Sequence, residues 1–252
     1  MIDLTYWYIF PISVCIAVVA NASGFSGSVL FQPIFNFFLQ LPIDSSIATG
    51  IATETIGMSS GAYRYHKMGK VNMKVVIAVL PFVIIGIVSG LFVFSIISKL
   101  SLRFLVGIVI FSIASRQLYM SIKNEYVSKR KTLTSSIPKQ FFAGLASAST
   151  GTGIAEIHQP IFEYDVGLET KNANASAIMI EALGNWLISI FNLSIGNINY
   201  EVLMFSIPGV LIGAQLGAVM SDYIFSRVTK IVFGVCVSLI GVVYMITSLN
   251  II

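Results

Sequence analysis

The chain has 252 residues, of which 56% are hydrophobic and only 10% charged, with a mean hydropathy of +0.88. A soluble domain carries roughly 25% charged residues, so 15 Lys+Arg and 11 Asp+Glu cannot cover a core of this size; a cytosolic enzyme, a secreted domain and a disordered chain are excluded. The net charge of +4 sits in short clusters between apolar runs and not on one face, so it reads as membrane topology and no nucleic-acid partner is expected.

The first apolar run follows Tyr6, Trp7 and Tyr8, which suit an interfacial aromatic belt. No Lys or Arg precedes it, so it reads as a retained membrane helix and not as a cleaved signal. Five apolar segments follow one another, at roughly 5–22, 27–41, 45–63, 74–97 and 102–122. After the polar stretch Lys123 to Lys139 come five more, at roughly 138–150, 153–168, 172–193, 201–220 and 227–249. The runs are too long for strands and lack strict alternation, so helices are expected. Cys15 and Cys236 lie in apolar stretches without a CxxC or a His neighbour and read as packing residues, not as a disulfide or a zinc site.

The segments repeat. Gln32-Pro33-Ile34-Phe35 recurs as Gln159-Pro160-Ile161-Phe162, an offset of 127 residues that also superposes Gly24 on Gly151, Glu54 on Glu181, Asn72 on Asn199 and Pro81 on Pro208. The expected fold is an all-α polytopic membrane protein of two homologous five-segment halves, residues 1–126 and 127–252. The loop with Arg64, Lys67, Lys70 and Lys74 is basic, whereas its repeat equivalent from Phe191 to Glu201 carries no Lys or Arg, so equivalent loops face opposite sides. With ten crossings the inner loops gather most of the basic residues, including Lys123, Lys129, Arg130, Lys131, Lys139, Lys171, Arg227 and Lys230. That gives an inverted topology with broken helices at the midplane, a multi-pass protein of the cell membrane with both termini outside. The alternative is a four-plus-four arrangement with re-entrant Gly-rich segments.

Inverted repeats suit a secondary transporter, in which two copies facing opposite ways alternate access to a midplane site. The helix breaks mark that site: Gly24 to Pro33 and Gly151 to Pro160. A helix starting after each bend directs free N–H groups toward an anion. The expected substrate-binding residues are Ser26, Gly27, Ser28, Gln32, Thr152, Gly153, His158 and Gln159. Each glutamine either offers N–H donors to an oxyanion or caps carbonyls freed by the following proline.

These residues resemble the TauE/SafE sulfite exporter family, through the Gly-rich stretches ending in Pro33 and Pro160, Ser60 to Tyr65 running into Gly69-Lys70-Val71-Asn72, and the Gly86 to Gly90 spacing. The resemblance covers the whole chain and implies transport of sulfite, thiosulfate or organosulfonates without a cofactor or metal. Against the family's usual pattern, Gln32, Glu156, His158 and Gln159 are unusual at the breaks, and Glu54 and Glu181 stand where apolar residues are expected.

A carboxylate at bilayer depth costs at least about 2.5 kcal/mol. Glu54, sharing a helical face with Gly50, Gly57 and Gly61, and Glu181, sharing one with Asn174, Ala177 and Asn185, are therefore proton-coupling candidates or structural groups, with Arg116 as an available partner. Protons or sodium ions are the candidate coupling ions. Thr49, Thr53, Ser60 and Arg64 form one stripe ending at a cytoplasmic mouth, where Arg64 escorts an anion or anchors the helix. A passive anion channel is the alternative function. No HExxH, GxGD or GxSxG motif suggests an enzyme, and no GxxxxGK[ST] suggests ATP-driven pumping.

Overall fold

The structure, a computed structural model, describes residues 4–123, 137–224 and 227–249. Lys129, Arg130 and Lys131, and the expected boundary between halves at 126, lie outside the described residues. Every regular element among those described is helical: α1 (Ile9–Ser23), α2 (Ser28–Pro33), α3 (Ile43–Lys67), α4 (Met73–Ile96), α5 (Lys99–Lys123), α6 (Ile137–Thr150), α7 (Ile154–Pro160), α8 (Thr170–Ser194), α9 (Tyr200–Ile224) and α10 (Arg227–Ser248). Met73–Ile96, Thr170–Ser194 and Tyr200–Ser221 are long and apolar enough to cross a membrane.

The second segment of each half differs from the simple crossing expected at 27–41 and 153–168. Proline removes a backbone donor and crowds the preceding turn, and after Pro33 and Pro160 the chain widens into π-helical turns, Ile34–Phe38 and Ile161–Asp165. Leu39 N–H returns to Ile34 O at 3.1 Å and Val166 N–H to Ile161 O at 3.1 Å. α2 has six residues and its π turn five, or about 16 Å at 1.5 Å per residue, half of the ~30 Å hydrocarbon core.

The main contacts run between the halves. Gly209, Gly213 and Gly217 of α9 press in that order on Phe10, Val14 and Val18 of α1, so the two helices run in the same direction. Gly86 and Gly90 of α4 meet Phe141 and Leu145 of α6 the same way. Gly107 of α5 and Gly241 of α10 pack on each other while Gly234 meets Leu118, an antiparallel pair. α3 and α8 are also antiparallel, with Thr55 beside Ser189 and Tyr65 beside Asn174. Between α3 and α9 the order is parallel: Thr53 shares a 2.8 Å hydrogen bond with Ser206, and Gln215 Nε2 donates to Ser60 O at 2.9 Å. Small residues let backbones approach closely where lipid gives no hydrophobic drive to associate.

Even the caps are exchanged. Asn72 N–H donates to Ser176 Oγ and Asn199 N–H to Thr49 Oγ1, both at 2.9 Å, while each asparagine side chain caps its own helix at Val75 or Val202. The outer faces carry exposed apolar side chains such as Ile77, Ile85, Val88 and Phe92. Cys15 and Cys236, expected as packing residues, are both exposed. On a membrane helix an apolar stretch faces lipid as readily as core, so hydropathy alone does not place a thiol inside.

Candidate functional site

The two Gly-rich bends meet inside the molecule. α1 ends at Gly24 and α6 at Gly151, each with φ of 75°, and their N–H groups return to Ala20 O and Ser147 O. Glycine is required there twice over. The conformation is left-handed, and a Cβ at Gly24 would overlap Asn174 Oδ1, while one at Gly151 would overlap Gln32 Nε2. Gln32 donates from Nε2 to Thr150 O at 2.9 Å, the last carbonyl before the opposite bend. Gln159 reaches the other bend, its Oε1 lying 3.1 Å from where a Gly24 Cβ would stand. Gln32 thus does not cap the carbonyls freed by Pro33 but ties its short helix to the end of α6.

Carboxylates occupy the donors at the bends. Glu54, from the middle of α3, accepts Ser26 Oγ–H on Oε2 at 2.7 Å and the Gly27 N–H on Oε1, with Asn185 Nδ2 from α8 adding 3.4 Å to Oε2. Glu156, the third residue of α7, accepts the Ser26 N–H at 2.7 Å and Thr152 Oγ1–H at 3.5 Å on Oε1, and the Gly153 N–H at 3.2 Å on Oε2. Ser28 Oγ, 2.8 Å from Ser26 Oγ, donates to Gly151 O. Glu181 is wholly buried beside Ser26, within electrostatic reach of Glu54 and Glu156, and neither of its oxygens has a hydrogen-bond partner among the described residues.

Three buried acids thus share one interior site. Three like charges at this depth repel strongly, so the cluster calls for protons or a cation as counter-charge. The described residues hold no group of acids, histidines and cysteines arranged to chelate a metal ion.

The remaining expected residues are spread more widely. His158 is buried on α7 with Nδ1–H donating to Ile154 O at 2.8 Å and its ring against Phe162, and no hydrogen bond joins it to the carboxyl cluster. Arg64 is exposed in the last turn of α3, ten residues or about 15 Å along the helix from Glu54. Its stripe is a helix contact, since Thr49, Thr53 and Ser60 all bond α9 or the residue that caps it. Arg116 faces Asp165 and Tyr164, not Glu54 or Glu181.

A family model described as "Sulfite exporter TauE/SafE" matches residues 9–244. The chain belongs to the TauE/SafE family. Membership implies a membrane transport protein for anions, in a family of transporters. No curated protein and no solved structure matches it.

In this TauE/SafE chain the site holds residues that the sequence did not single out. Glu156 is unusual at its break but is no expected site residue, because the repeat sets it opposite the apolar Val29. Asn174 and Asn185 are legible as the helical face shared with Glu181, but not as partners of the first bend and of Glu54. Asn21 and Tyr65 gave no signal. The wholly buried Tyr65 donates from Oη to Asn21 O at 2.7 Å and accepts from Asn174 Nδ2 at 3.2 Å. Tyr65→Phe leaves these groups short of a partner, costing about 1–3 kcal/mol. At about 2–4 °C per kcal/mol for a chain of this size, the unfolding midpoint in detergent should fall by several degrees; an unchanged midpoint would show that the Tyr65 hydroxyl contributes nothing.

Proposed function

We propose that the chain carries small sulfur-containing oxyanions across the membrane by alternating access between two inverted halves, and that Glu54 and Glu181 carry the coupled protons. One observation carries this reading: the backbone N–H groups and hydroxyls at the bends, which an oxyanion would need, are held by Glu54 and Glu156. Substrate and carboxylates compete for the same donors. An arriving oxyanion takes the N–H groups of Ser26 and Gly27, with Ser28, Thr152, Gly153 and the two glutamines around it. Displacing Glu54 and Glu156 brings them closer to Glu181 as like charges, and Glu54 and Glu181 take up the protons that relieve the repulsion. Anion and proton binding become linked through one set of donors.

Helix directions support the inversion. α3 and α4 form a hairpin, α3 runs with α9 and against α8, α1 runs with α9, and α6 with α4. Equivalent long helices therefore point opposite ways. Because α1 and α3 run in the same direction, the short α2 and its π turn lead the chain back toward the face it came from, so each bend is the tip of a re-entrant hairpin. The sides of the loops are those expected from ten crossings, with the basic loops together on the cytoplasmic side and both termini outside.

The test is flux in proteoliposomes, with sulfite, thiosulfate, sulfate, sulfoacetate and taurine offered with and without a proton gradient. Saturable flux of a sulfur oxyanion that responds to the gradient is expected. Channel-like currents, or no flux of any of the five at any pH, would overturn the reading.

A further inference from the structure

A cavity of about 430 Å³ lies between α5, α6 and α7, and its polar lining consists of Ser112, Arg116, Lys139 and Glu156. The rest of the wall is apolar, including Ile113, Phe142 and Ile161. Lys139 and Arg116 stand near the ends of their helices that border residues 124–136, whereas Glu156 is in the first turn of α7. The cavity therefore leads from a basic mouth to the carboxyl that holds the Ser26 amide. Asp165 offsets part of the positive charge, at 3.6 Å from Lys139 Nζ and facing Arg116. Two cations against one acid leave one net positive charge at the mouth.

The repeat shows that this chemistry belongs to one half only. At the 127-residue offset the apolar wall is duplicated, Ile113 by Ile240 and Ile161 by Ile34. The polar residues are not. Ser112, Arg116, Lys139 and Glu156 fall on Leu239, Val243, Ile12 and Val29. The equivalent positions of the other half are all apolar. Four polar side chains converge on one copy, and membrane-embedded polar groups persist where they have a ligand or a partner.

We infer that this cavity is a binding site for an organic monoanion with a compact apolar body and a single oxyanion head, for which short-chain alkanesulfonates serve as probes. The apolar wall takes the body, and Arg116 and Lys139 take the head, Arg116 through the planar donor fork that suits an oxyanion. Glu156, at the inner end, separates this site from the bends; its displacement opens the Ser26 amide to the head group. The inference rests on the transport reading only for this last step, because the site itself is read from the cavity and the repeat.

The experiment is calorimetric titration of the full chain in lipid nanodiscs with methane-, butane-, hexane- and dodecanesulfonate and with inorganic sulfite. Affinity should rise from methane- to hexanesulfonate, each buried methylene adding up to about fourfold, and then level off as the cavity fills. Arg116→Val, which copies the residue of the other half, should weaken butanesulfonate binding by about tenfold or more. Ser112→Trp, a filling change at an exposed position, should abolish it. Wild-type chain that binds no alkanesulfonate, or both variants binding like wild type, overturns the site. Affinity that keeps climbing to dodecanesulfonate and is competed by phosphatidylglycerol in the disc also overturns it, in favour of a lipid groove. Binding is read without flux, so a failed transport reading leaves this result standing, and sulfite flux that survives a failed titration leaves the transport reading standing.

Discussion

Glu54→Gln combined with Glu181→Gln should leave a folded protein whose anion flux no longer responds to a proton gradient. Glutamine keeps the size of each side chain and an oxygen for the Ser26 hydroxyl or the Gly27 amide, so the bend around Glu54 remains partnered. It cannot release a proton. Hydrogen bonds to a charged group are worth about 1.5–3 kcal/mol each, so losing the ionised Glu54 should also slow substrate exchange at the bends by about ten- to a hundredfold. Flux in proteoliposomes at matched and unmatched pH reads both effects, and an unchanged proton dependence would count decisively against these carboxyls as the coupling groups. Glu54→Ala should behave differently. It strands the Gly27 amide and Asn185 Nδ2 in a buried site and leaves the Ser26 hydroxyl only Ser28 and the Gly151 carbonyl, and the expected result is loss of folded protein.

Gly213→Leu should be among the most damaging single changes at the helix contacts. A Cβ at Gly213 would overlap Val14 O and lie 2.8 Å from the Ala17 Cβ. Backbone cannot yield as a flexible side chain does, so α1 and α9 would have to separate along their whole contact. Overpacking costs about 1–3 kcal/mol and occasionally more; with the contact also broken, the unfolding midpoint should drop by about 10 °C or folded yield should collapse. Size-exclusion profiles and thermal scans in detergent check this. Gly69→Ala serves as the comparison: a Cβ there meets nothing within 4 Å, and only its positive φ of 68° opposes the change, so a loss of about 1 kcal/mol is expected.

Much of this architecture was legible in the sequence because its signals are local. Apolar runs of helical length, Gln-Pro at Gln32 and Gln159, and glycines at Gly24 and Gly151 mark where helices form and break. The offset of 127 residues carries over to the structure, where Ile43–Lys67 and Thr170–Ser194 begin and end at equivalent positions. The acids Glu54 and Glu181 stood out because charge is costly at bilayer depth.

What escaped the sequence depends on residues far apart in the chain. Nothing local says that α1 packs on α9, since glycine stripes on Gly209 to Gly217 permit a close neighbour without naming it. Arg116 looked like a partner for a buried acid, yet it faces Asp165 and Tyr164 beside a cavity that only the assembled helices enclose. The repeat duplicates Glu54 as Glu181 but sets Glu156 against the apolar Val29, so duplication does not mark it.

The sequence by itself determined that this is a membrane-embedded, all-helical protein, because scarcity of charge and periodicity are properties of composition and order. Only the tertiary structure decided that the two bends meet, that their N–H and hydroxyl donors are held by Glu54 and Glu156, and that Glu181 is buried with no hydrogen-bond partner among the described residues. Those facts rest on which backbones the glycines allow to touch, and close packing between distant segments is written in no single stretch of the chain.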